Sequence, residues 1–148
     1  MWRSLIILAL GVFALGGLYR GEDAGTTHYV QLVRGTNSDQ PPQAGSRHVG
    51  PKLAARFQNV FKWSNYWEIC QHKVDVRPGG TTRVSLGNGR EAEIDLTAPN
   101  KRKVTAFQNG RALDRTVAPV GEHMTLIGGE RDQKSFWFII VQRDKPTN

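Results

Sequence analysis

Cysteine is almost missing from this chain. Cys70 stands alone among 148 residues, so no internal disulfide can form and the domain must fold on its core. Long hydrophobic runs are also lacking. The uncharged stretch Leu5–Tyr19 has fifteen residues, short of the about 20 that a helix needs to cross a bilayer. There is no solenoid-type repeat and no low-complexity tract. No Gly-rich loop opens a helix after a strand, because Gly79-Gly80, Gly87-Asn88-Gly89 and Gly128-Gly129 all read as turns rather than phosphate cradles. Ser and Thr occur without a nucleophile-elbow context. These absences weigh against disulfide scaffolds, repeat arrays, nucleotide-binding folds and most hydrolases.

What is present begins with a leader. Met1-Trp2-Arg3 is a short positive head, Leu5–Tyr19 is nearly all apolar, and Arg20-Gly21-Glu22-Asp23 resumes polarity. That three-part pattern predicts a signal peptide over residues 1–20, with cleavage after Ala14-Leu15-Gly16. The alternative is a retained segment, residues 5–19, anchoring the chain to an inner membrane. No Cys near residue 20 offers lipid attachment. The expected location is exported, periplasmic or secreted. Residues 21–27 read as a flexible link and 28–144 as one β-rich domain.

The composition, 39% hydrophobic and 22% charged, is that of a globular protein. A net charge of +7 brings anionic partners to mind, but Lys and Arg are scattered. Only Lys101-Arg102-Lys103 forms a run, after a Pro-Asn turn, and it reads as a solvated loop.

Strand and turn signals dominate the body. His28–Val33 reads as a strand, and residues 37–49, with Pro41-Pro42 and Gly45, as a long loop. Pro51 suits a first helical turn, and Leu53, Phe57, Val60 and Phe61 then form one apolar stripe of a helix over 51–61. From Tyr66 the period becomes two. Cys70, Val74 and Val76 share a phase that Trp67 and Ile69 do not, so the strand is either covered on both faces at its start or bulged.

Thr82–Leu96 reads as a hairpin. Keeping Thr82, Val84 and Leu86 on one face with Ala92, Ile94 and Leu96 calls for a three-residue turn with Gly89 left-handed. Strands follow at 103–107, 112–117, 122–127 and 135–142. The last, apolar in both phases, reads as a central strand covered on both sides. The fold class expected is mainly β (α+β), an antiparallel β-sandwich or open barrel with one short helix packed on it.

Candidate chemistry is sparse. Glu91, Glu93 and Asp95 alternate on one strand face, and paired carboxylates are what glycoside hydrolysis needs, but these are placed to meet Arg83 across the hairpin. A small hydrolase using Glu91 or Glu93 is the weakest reading. His28, His48, His72 and His123 stand apart, so no metal site is expected. Cys70 and His72 share a strand face without an activating third group, and Cys70 reads as a buried small hydrophobe.

The stretch FQNVFKWSNYWEICQ concentrates Phe57, Phe61, Trp63, Tyr66 and Trp67. Phe57, Phe61 and Trp67 fall in core phases. Trp63 and Tyr66, beside Lys62, are left as a turn displaying two rings for a partner.

The tail GEHMTLIGGERDQKSFWFIIV, a strand ending in Gly-Gly followed by a strongly apolar strand, resembles the strand–Gly-Gly pattern of secretins, the outer-membrane secretion channels. With FKWSNYWE and LGNGREAEIDL it is similar to small uncharacterised exported β-rich proteins of Gram-negative-type bacteria, over residues 57–142. The chain is too short for a secretin channel, so the resemblance implies no pore and transfers no site residue. The expected function is a non-enzymatic β-domain working by protein–protein contact in the cell envelope, with a carbohydrate- or polyanion-binding module as the alternative. No cofactor and no nucleic-acid partner are expected, and membrane contact only through the N-terminal segment.

Overall fold

A computed structural model describes residues 27–131 and 135–147. The leader at 1–20 and the link as far as residue 26 lie outside the described residues.

Among the described residues nine strands and one helix follow one another. They are β1 (Thr27–Thr36), β2 (Arg47–His48), α1 (Pro51–Gln58), β3 (Asn65–Asp75), β4 (Thr81–Gly87), β5 (Arg90–Asp95), β6 (Lys101–Gln108), β7 (Arg111–Pro119), β8 (Met124–Arg131) and β9 (Ser135–Gln142). They build two antiparallel sheets, one in the order β2-β3-β1-β9-β8 and the other a meander β4-β5-β6-β7. The expected mainly β architecture with one short helix is the architecture found.

Two apolar layers explain why. Val30, Leu32, Val74, Ile127, Ile139 and Val141 on the first sheet face Leu86, Ala92, Ile94, Val104 and Ala106 on the second. The opposite face of the first sheet, with Val33, Tyr66, Phe138 and Ile140, is covered by Phe57 of α1. Strand β9 therefore serves both cores: Trp137, Ile139 and Val141 point one way, Phe138 and Ile140 the other. Its unbroken apolar run has this cause, and each such side chain contributes roughly 1.5–3 kcal/mol of gross burial energy. Trp137 also meets two guanidiniums, with Arg34 4.8 Å and Arg90 3.8 Å from its ring centroid.

Strand β3 is both covered and bulged. Leu32 pairs with Cys70 but Val33 with Glu68, so Ile69 is the extra residue that resets the phase. Tyr66 and Trp67, on opposite faces before the bulge, are both buried.

Four expectations need correction. The helix ends at Gln58, capped by Asn59, and Val60 leaves the stripe with 72% exposure. Phe61 still reaches the core because its N–H bonds the Phe57 carbonyl. The long loop contains β2, whose two residues pair with Trp67 and Glu68, a match too short to leave a period.

The hairpin turn has two residues. Asn88 (φ 51) and Gly89 (φ 74) are both left-handed, as type I′ geometry requires. The odd residue is absorbed at Leu86 and the left-handed Gly87, so Val84 still faces Ala92 and Thr82 faces Ile94. Finally, Lys101-Arg102-Lys103 opens β6 and is not a solvated loop: Arg102 is fully buried.

Candidate functional site

The turn expected to display two rings does not do so. Tyr66 is the second residue of β3 and points under α1, 3% exposed, with ring centroids 4.9 Å from Phe57 and 6.3 Å from Phe138. Burial pushes its phenol pKa up, partly offset by a backbone hydrogen bond at Trp63. Trp63 is half-buried and lies so close to Gly35 that a Cβ there would be 2.6 Å from its Cδ1. Lys62 alone is exposed. Trp63, Tyr66 and Lys62 thus form a helix–strand corner, and only the cation faces solvent freely.

The alternating carboxylates meet cations across the strands. Arg83 reaches Glu93 at 3.0 Å and Glu91 at 3.7 Å, and its guanidinium lies 3.8 Å from the Phe107 ring centroid. Lys103 holds Asp95 at 2.9 Å. The Thr97 hydroxyl and Lys103 keep the Asp95 carboxyl well below the usual carboxylate range. The histidines stay apart: His28 is buried, His48 stacks on Trp67 at 3.9 Å, and His72 and His123 are exposed. Among the described residues, no group of three His, Cys, Asp or Glu side chains converges. Cys70 packs beside the inter-sheet core, and burial pushes its thiol pKa up.

Two buried polar features have no counterpart in the sequence reading. Arg102 donates to the Thr125 hydroxyl (2.6 and 3.2 Å) and to the Glu122 carbonyl (3.0 Å), and desolvation lowers its pKa. The other is a relay across four strands beneath α1. Arg47 of β2 donates to Glu68 of β3 (2.7 Å), and Gln31 of β1 donates to the same carboxylate (2.6 Å). Gln142 of β9 then donates to the Gln31 carbonyl at 2.9 Å. Glu68 and Gln31 are 5% and 2% exposed. The available signal was a lone polar residue in an apolar strand phase: Gln31 before Leu32-Val33, and Gln142 ending FWFIIV.

The relay ends in a cleft. Gln31 and Gln142 belong to its lining, with Lys52, Leu53 and Arg56 of α1 on one side and Asp144–Thr147 on the other, around about 670 Å³. His123 and Met124 line it as well. That volume lies within the roughly 300–1,000 Å³ of small-ligand sites. Lys52, Arg56 and Lys145 are exposed, and among the described residues none has a carboxylate at ion-pair distance. Among the described residues Asp144 is the one acidic residue of the lining, and it lies 3.8 Å from His123.

Fold and cleft together define a mainly β, two-sheet α+β domain with a cationic groove beside its helix. No family model, curated protein or solved structure matches the chain.

Proposed function

We propose that the chain is an exported, non-enzymatic β-domain that works by protein–protein contact in the bacterial cell envelope. The observation carrying this reading is the cleft beside α1. It joins apolar contact surface from Leu53, Met124 and Pro146 to a buried amide floor and three exposed cations that have no ion-pair partner among the described residues. Such a mixture of apolar wall and polar rim suits a protein surface. The leader-like N-terminus and the resemblance of residues 57–142 to exported bacterial β-domains support the location. Crosslinking in intact cells, followed by envelope fractionation, tests the reading. The expected result is the chain in the envelope fraction, joined to a protein partner. Recovery from the cytoplasm, or specific turnover in a broad hydrolase screen, would overturn it.

One observation favours a second reading, a carbohydrate- or polyanion-binding module. Among the described residues three cations line the cleft against one carboxylate. Salt-sensitive binding of heparin by the purified chain, with no protein recovered by crosslinking, would favour it.

A further inference from the structure

We propose that the cleft between α1 and residues 144–147 is a docking groove for an acidic, extended peptide segment of a protein partner. The inference rests on the protein-contact reading and specifies the chemistry of that contact.

Charge is the first argument. On the strands, Arg83 is neutralised by Glu91 and Glu93, Lys103 by Asp95 and Arg47 by Glu68. Lys52, Arg56 and Lys145 are instead three exposed cations gathered around one groove, with no carboxylate at ion-pair distance among the described residues. Like charges gathered in this way are complementary to an acidic ligand.

The floor supplies the second argument, through the direction of its hydrogen bonds. The Glu68 carboxylate, already paired with Arg47, accepts the Gln31 amide N–H. That contact turns the Gln31 carbonyl to Gln142, which donates to it. Each amide orientation follows from the one before, and the Gln142 carbonyl is left as the relay's unused acceptor among the described residues. A ligand meeting this floor gains by bringing a donor. Peptide backbone carries N–H donors at regular spacing, whereas phosphodiester and sulfate groups carry none.

The walls supply the third. Leu53, Met124 and Pro146 accept aliphatic side chains, and thioethers adapt to varied partners. Among the described residues no Phe, Tyr or Trp lines the cleft, which offers no aromatic stacking platform for a nucleic-acid base there.

Panning the full chain against displayed random short peptides tests the proposal, with heparin and phosphatidylglycerol vesicles run in parallel. Enrichment of Asp- and Glu-rich peptides carrying an apolar residue is expected. A synthetic copy of an enriched peptide should shift the NMR signals of the Gln142 side-chain amide and the Met124 methyl. Its affinity should fall with added salt, and fall about tenfold or more in the Arg56→Glu/Lys145→Glu variant. Both positions are exposed, so the variant should keep the fold and unfold slightly below wild type, the loss coming from Arg56's place in the last helical turn. Arg83→Ala, on β4 of the second sheet and outside the cleft lining, should bind as wild type.

The absence of acidic enrichment overturns the proposal. So does affinity indifferent to charge reversal, or heparin or vesicles moving those signals when acidic peptides do not. A cellular crosslink to a protein that maps away from the cleft would leave the contact reading standing and remove this inference. Charge-dependent peptide binding without any envelope partner would do the reverse.

Discussion

At the scale of single residues, close approach and hydrogen bonding decide more than residue type. Gly35 carries the Trp63 ring, and a Cβ there would stand 2.6 Å from Trp63 Cδ1 and 3.2 Å from Phe138 Cε2. Gly35→Ala should therefore destabilise by about 1–3 kcal/mol, as overpacking does, read by denaturant titration. Asp95 is the second case. The Thr97 hydroxyl bonds it at 2.6 Å, and the depressed carboxylate stabilises the fold at every pH above its unfolded value of about 3.9. That contribution is lost as pH falls from about 4 through the lower folded-state pKa. Acid unfolding followed by circular dichroism should show Thr97→Val less stable than wild type at neutral pH, with the gap closing as acid is added. The Gly35 contact was not legible in the sequence, because Trp63 and Phe138 are brought to it by tertiary packing. The Asp95–Thr97 contact spans two residues and is a local turn that closes the strand.

At the scale of elements, turn chemistry governs the second sheet. Asn88-Gly89 and Asn109-Gly110 both take left-handed pairs, and the two turns lie together, with the Asn109 N–H donating to the Gly89 carbonyl at 2.8 Å. At Gly89 an added Cβ would meet the left-handed backbone penalty and also run into Asn109 Oδ1. Gly89→Ala should lower the unfolding temperature and cost about 1–2 kcal/mol or more, whereas Asn88→Gly should stay within about 0.5 kcal/mol. Thermal unfolding of the two variants side by side checks this. The hairpin itself and the inward phase of Val84, Ala92 and Ile94 were readable, since period-two patterning is local. The bulge at Leu86–Gly87 was not, because two-residue and three-residue turns satisfy the same inward phase once one strand absorbs an extra residue.

At the scale of the whole molecule, stability should concentrate where the two cores share β9. Phe138 is fully buried and lies 4.6 Å from Phe61, 4.7 Å from Phe136 and 5.3 Å from Phe57. Phe138→Ala should cost about 3–5 kcal/mol, a large share of the about 5–15 kcal/mol typical of a domain. Val117→Ala, on a residue 54% exposed, should stay within about 0.5 kcal/mol. Urea unfolding of both variants measures the contrast. Equal losses would contradict the placement of the core.

Local periodicity was enough to announce a β-rich α+β domain, one short helix, the charge ladder of Glu91, Glu93 and Asp95, and β9 as a strand buried on both faces. Each of these depends on neighbours within a few residues, or on a pattern whose only stable outcome is burial. Tertiary structure decided the rest. It placed Tyr66 inside by starting β3 at Asn65, buried Arg102 by laying β6 beside β8, and aligned Arg47, Glu68, Gln31 and Gln142 across four strands. It also brought Arg56 and Lys145 to one cleft. These residues are far apart in the chain, and a linear pattern holds no record of which strands become neighbours.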